Sequence, residues 1–102
     1  MKTRSELHEE LCEVLGSRNV YFQPPENLKI KYPCIIYNLD DIDTRRADNK
    51  RYITYDRYLL TVVSKDPDCD LFIQLMDRFE MCDLDRAAVA DSMNHWYMTL
   101  YW

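Results

Sequence analysis

Residues 51–65, RYITYDRYLLTVVSK, are the stretch of sequence that decides the fold. Aromatic and β-branched residues fill this stretch, and such residues suit a pleated, half-buried strand. Successive side chains of a strand point to opposite faces, and here the apolar ones are concentrated in residues 58–63. We therefore predict a long strand whose second half lies in the core of a sheet. Its first half is expected to project beyond that sheet.

Two further strand candidates lie upstream. Residues 34–39, CIIYNL, have the same aromatic and β-branched character, whereas residues 19–22 form only a short candidate that the following QPPEN ends. Residues 40–50 separate the two long strands. They contain the acidic run DDID followed by TRRADNK, and they show no hydrophobic periodicity. We predict a loop over residues 40–50.

Two helices are predicted from capping signals and apolar spacing. Thr3 and Glu6 have the spacing of a capping box, apolar residues follow on one helical face, and the chain's only glycine comes where that face ends. These features predict a helix over residues 4–15. Asp66 followed by proline is a strong helix start, and an apolar stripe continues from it, which predicts a helix over residues 67–79.

The last third of the chain predicts two more strands, at residues 81–89 and 94–102, joined by a turn at Asp91 and Ser92. The expected fold is therefore α+β, in the order α-β-β-β-α-β-β with a short first strand. It is a two-layer sandwich in which a mainly antiparallel sheet of about four strands carries two helices on one face. Residues 1–102 are expected to form a single domain, because a chain of this length supports one core.

Composition and charge argue against several classes of function. Thirteen basic against eighteen acidic residues give a net charge of −5, which disfavours non-specific binding to nucleic acid. A single glycine leaves no room for a P-loop or a glycine-rich dinucleotide motif. The apolar runs are only a few residues long, and the chain starts MKTRSELHEE without an apolar signal region, so no contact with a membrane is expected.

No group of residues predicts a catalytic or metal centre. The four cysteines stand at 12, 34, 69 and 82 without a CxxC pair, and the absence of a signal region predicts free thiols. Asp66, Asp68 and Asp70 have the spacing of a calcium loop, but leucine occupies the position that such a loop gives to glycine. A Cys–His nucleophile stays open in principle. We expect no cofactor, no metal and no enzymatic activity.

The charged segment and the tyrosines predict a surface for protein contact. Acidic and basic residues follow each other over residues 40–51, which suits a contact arm, although a plainly solvated loop is the alternative. Eight of the thirteen aromatic residues are tyrosine, and several of them, Tyr97 and Tyr101 among them, cannot all be core in a two-layer domain. The candidate subunit or partner contacts are Asp40, Asp41, Asp43, Arg45, Arg46, Lys50, Arg51, Tyr52 and Tyr55.

The chain resembles the small tail-terminator (tail-completion) proteins of long-tailed bacteriophages. The resemblance lies in YPCIIYNLDDID at 32–43, RYITYDRYLLTVVSKDPD at 51–68, NHWYMTLYW at 94–102 and the opening helix with LCEVLGSRNVYFQPPE. It implies an α/β sandwich that assembles into a ring, usually a hexamer, at the head-proximal end of the tail tube. Such a ring ends tube polymerisation and joins the tube to the head-side connector.

The resemblance also implies the partners and the location. The partners would be further copies of the chain, the tail tube protein and the head–tail connector protein, with DNA only passing through the lumen. The protein would be part of the virion and would assemble in the host cytoplasm. Two alternatives stay open: another neck or head-closure component, and a small acidic cytosolic protein that binds and regulates a host factor.

Overall fold

A computed structural model describes residues 3–47 and 50–102, with side chains for residues 3–40 and 55–102. The strands form one sheet in the order β1-β2-β3-β5-β4, in which β1 is parallel to β2 and the other neighbours are antiparallel. The predicted α+β class and element order are confirmed, and the short first strand joins the sheet as its fifth member. The elements are α1 (Arg4–Leu15), β1 (Val20–Phe22), β2 (Cys34–Ala47), β3 (Lys50–Ser64), α2 (Leu71–Arg78), β4 (Cys82–Ala90) and β5 (Met93–Tyr101).

The main core lies between one face of the sheet and the two helices. Each helix contributes leucines one helical turn apart, and every second residue of the strands packs against them. This follows from the period of about 3.6 residues in a helix and of two residues in a strand. Burying this apolar surface is the main force that holds the two layers together. The largest fully buried side chains of this core are Leu7, Leu11, Ile35, Tyr37, Leu60, Val62, Leu75, Met98 and Leu100.

The first helix has the predicted bounds and the second is shorter than predicted. At the start of α1, the Thr3 hydroxyl accepts a hydrogen bond from the Glu6 amide at 3.2 Å. The prediction that Asp66 caps α2 is wrong. Its carboxylate accepts from the Asp68 amide at 2.9 Å and its carbonyl from the Cys69 amide at 3.2 Å, which makes a turn. Because this turn uses the capping groups of Asp66, the helix begins only at Leu71.

The predicted loop over residues 40–50 is wrong for residues 40–47 and 50, because these residues belong to the two strands; residues 48–49 lie outside the described residues. β2 extends to Ala47 and β3 begins at Lys50, and the register runs from Cys34 opposite Val63 to Ala47 opposite Lys50. A strand pattern is visible in a sequence only where one face of the strand is buried. This part of β2 is mostly polar, with only Ile42 and Ala47 apolar, so its sequence carries no such alternation.

The prediction that the first half of the long strand projects beyond the sheet is confirmed by the backbone pairing. β3 pairs with β5 from Arg57 opposite Tyr101 to Ser64 opposite Asn94, and Trp102 adds two backbone bonds to Asp56. In the part of the chain that the structure describes, residues 41–47 pair only with β3, and residues 50–55 pair only with β2. We call these two strand segments the ribbon.

Tyr37 connects α1 to the centre of the sheet. Its side chain is fully buried, and its hydroxyl accepts a hydrogen bond from the Arg4 guanidinium at 3.2 Å and lies 2.8 Å from Nδ1 of His8. Burial, followed by the charges of Arg18 and Arg4, lowers the pKa of His8 from its ordinary value of 6.5. The folded protein therefore favours the neutral imidazole more than the unfolded chain does.

This difference predicts that the protein loses stability in mild acid. Around pH 6.5 the unfolded chain binds more protons at His8 than the folded protein, so the free energy of unfolding falls as the pH falls through this value. We expect urea midpoints to decrease between about pH 7.5 and about pH 5.5, the range in which histidine titrates. His8→Gln should make that decrease smaller than it is in the wild type. An equal decrease in wild type and His8→Gln would contradict the assignment.

Candidate interaction site

The base of the ribbon is closed by an ion pair. Asp40 lies at a register irregularity of β2, and its carboxylate accepts from Nε of Arg57 at 2.6 Å. Hydrogen bonds to Tyr101 and Asp40 raise the pKa of the Arg57 guanidinium. Asp40, which the sequence predicted as part of a contact loop, therefore joins the two long strands at the point where β5 ends.

The other predicted charged contacts lie along the ribbon. The backbone places Arg45 opposite Ile53 and Arg46 opposite Arg51, close to the ribbon's end. Residues 44–51, which we call the ribbon tip, contain four basic residues and one acidic residue, a formal charge of +3. The side chains of Asp41, Asp43, Arg45, Arg46, Lys50, Arg51 and Tyr52 lie outside the described residues.

A groove of about 680 Å³ lies at the foot of the ribbon. It is bounded by α1, by the end of α2, by the middle of β3 and by the end of β5. Trp102 packs edge-on against Phe79 with ring centroids 5.8 Å apart, and its indole N–H donates to the carbonyl of Thr3 at 2.8 Å. This bond ties the end of the sheet to the start of α1. The apolar and aromatic lining consists of Tyr55, Phe79, Met81, Tyr101 and Trp102.

The charged lining of the groove is predominantly acidic. Four carboxylates stand against one guanidinium, which leaves a formal charge of −3; they are Glu6, Glu10, Asp56 and Glu80, against Arg78. Nε of Arg78 lies 3.1 Å from Glu10, and Nη2 lies 2.7 Å from Glu13. The negative charge that faces solvent is therefore carried mainly by Glu6, Asp56 and Glu80.

The sheet face away from the helices carries the aromatic surface that the tyrosine content predicted. One end of it is covered, since Ile30 packs on a small cluster with Cys34 and Val63. Elsewhere Leu59 is 41% exposed, and the guanidinium of Arg86 lies 4.7 Å from the ring centroid of Tyr97. Tyr97 and Tyr101 are both half-buried on this open face.

Three of the four thiols do not have the environment of an activated nucleophile. Burial raises the pKa of Cys34 to about 11 and that of Cys82 to about 12, and it also raises the pKa of Cys12. Activated cysteines need the opposite shift. Within the described residues, no three His, Cys, Asp or Glu side chains are grouped so as to hold a metal ion. Neither described helix is long and apolar enough to cross a membrane.

The burial of the cysteines predicts selective thiol labelling. Cys69 is half-buried, whereas Cys12, Cys34 and Cys82 are buried. At about pH 8 we expect a thiol reagent to modify Cys69 at least about tenfold faster than the other three cysteines, because reaction needs an accessible thiolate. Cys69→Ser should remove the fast phase, and the control Cys12→Ala should keep it. Fast labelling of all four thiols in the folded protein would contradict the described core.

Part of this site was predicted from the sequence, and the rest was not. Tyr55 was predicted as a contact and does line the groove, while the acidic lining and Trp102 were not predicted. One local signal was present, since Glu6 and Glu10 are four residues apart and share an edge of α1. Their approach to Glu80 depends on how α2 packs, which no local pattern encodes.

Comparison with known proteins adds nothing to this geometry: no protein-family model matches the chain, and no curated protein matches it.

Proposed function

We propose that the chain is a tail terminator of a long-tailed bacteriophage: a structural protein that forms a ring, caps the tail tube and joins it to the head-side connector. The observation that carries this proposal is the ribbon. It is built from β2 and β3, the two longest strands of the fold. It extends past β5 and the two helices, which cover the other halves of β2 and β3.

A two-stranded ribbon of this kind is an assembly element. A two-stranded hairpin alone is at best marginally stable in water, and its unpaired edges invite contact with another chain. A neighbouring subunit that covers the ribbon would satisfy both constraints. Because the ribbon of one copy would meet a different surface on the next, the contact is heterologous, and such contacts close into rings when the rotation allows.

The open face of the sheet supplies a second surface, as a ring between two partners requires. Leu59 is exposed there, and Tyr97 and Tyr101 combine apolar area with polar tips, the character of protein–protein contact surfaces. The net charge of −5 fits a lumen through which DNA passes without being held. The ribbon would then join subunits, and the open face would meet the tube or the connector.

The direct test is the length of tail tubes assembled with and without this protein. We expect the tail tube protein of the same phage to form shorter tubes in its presence, each with a ring at one end in electron micrographs. The ring should have the native mass of a hexamer by light scattering. Changing Arg45, Arg46, Lys50 and Arg51 to Ser should abolish the capping.

A control with the same kind of change separates the ribbon from general charge effects. Lys29, Lys31 and Lys65 are exposed and lie outside the ribbon, so changing these three to Ser should leave capping intact. Tubes of unchanged length with no ring at either end would refute the proposed function. Capping that survives the ribbon substitutions would refute the role of the ribbon in it.

A further inference from the structure

We propose that the acidic groove receives the basic ribbon tip of a neighbouring copy of this chain. This inference rests on the proposed ring and names the two surfaces that meet in it. The occupant of the groove is residues 44–51 of a second copy.

Charge complementarity is the first argument. The groove lining has a formal charge of −3 and the ribbon tip has +3, in a chain whose net charge is −5. Two such chains repel each other as wholes, so association requires local patches of opposite sign to face each other. The groove and the tip are such a pair.

The groove cannot be filled by the tip of the same chain. Asp56 lies in the groove wall, and Arg51 is five residues further along the same strand, a distance of about 17 Å at the rise of an extended strand. The register keeps the ribbon extended as far as Ala47 opposite Lys50. The described part of the tip therefore lies away from its own groove, so a basic segment that fills the groove would come from another molecule.

The chemistry of the lining suits arginine in particular. Three of the four basic residues of the tip are arginine, and guanidinium groups both stack on aromatic rings and bind carboxylates through paired hydrogen bonds. The groove offers the ring of Trp102 together with the carboxylates of Glu6 and Glu80. Its volume falls within the range of about 300–1,000 Å³ found for ligand sites, enough for several side chains.

The test uses two charge-reversed variants. The tip variant carries Arg45→Glu and Arg46→Glu, which changes the tip from +3 to −1. The groove variant carries Glu6→Lys and Glu80→Lys, which changes the groove from −3 to +1. In each variant alone, tip and groove have the same sign, so self-association measured by sedimentation in low salt should weaken at least about tenfold.

Mixing the two variants should restore assembly. The reversed tip of one variant then meets the reversed groove of the other, −1 against +1, and the remaining contacts are the unmodified pair, +3 against −3. We expect an equimolar mixture to form particles that contain both variants, with the mass of the wild-type assembly. This rescue also demonstrates that both variants are folded.

Matched controls exclude effects of net charge and measure the part played by arginine. Lys29→Glu with Lys31→Glu changes the net charge as the tip variant does, and Glu26→Lys with Asp77→Lys changes it as the groove variant does. All four residues are exposed and lie outside both surfaces, so these controls should assemble like wild type. Arg45→Lys with Arg46→Lys keeps the charge but loses the planar guanidinium, and should weaken assembly less than the tip variant.

The remaining outcomes distinguish a failure of the inference from a failure of the proposed function. The inference is overturned if the wild-type chain stays monomeric, if both reversed variants assemble like wild type, or if their mixture fails to assemble. If the mixture is rescued but the wild-type assembly does not cap tail tubes, the docking stands and the tail-terminator proposal fails.

Discussion

The pairing of β2 with β3 is the interaction on which the rest of the structure depends. It begins at Cys34 opposite Val63, inside the folded domain, and continues without a break in the chain's extended backbone to Ala47 opposite Lys50. β1, β5 and both helices cover only its first half, where alternate side chains are buried. One pair of strands therefore provides both the scaffold of the core and the ribbon, and the pair of Asp40 with Arg57 marks the place where one becomes the other.

The parts of this architecture that follow local rules could be predicted from the sequence. α1 follows from the Thr3 cap and the helical spacing of leucines, and β5 follows from strict alternation around Trp96. The β2 side of the ribbon falls in the predicted loop because hydrophobic alternation indicates burial and not extended backbone. The start of α2 was misplaced because an aspartate before proline can make either a cap or a turn, and Asp66 makes the turn. The groove arises only when four distant segments meet, so no local pattern could reveal it.

Opposite charges on separate surfaces explain how an acidic chain could assemble with itself. The groove and the ribbon tip lie on different parts of the molecule, so each copy would present one binding surface on each side. This arrangement gives the assembly a direction, which a ring at the end of a tube needs. It also divides the stability of the protein into two contributions. The core holds the domain together by burial of apolar surface, whereas the described part of the ribbon has a single neighbouring strand within its own chain and would gain a further neighbour in the proposed assembly.

Hydrogen exchange of backbone amides most directly tests the central claim that another copy of the chain completes the ribbon. In the dilute monomer, the amides of residues 50–55 should exchange orders of magnitude faster than those of residues 58–63, because the latter lie between two neighbouring strands in the core. At concentrations at which the protein assembles, the amides of the ribbon should become protected, together with those of the groove at residues 78–81. Strong protection of the ribbon in the dilute monomer, unchanged on assembly, would contradict the claim that another copy of the chain completes it.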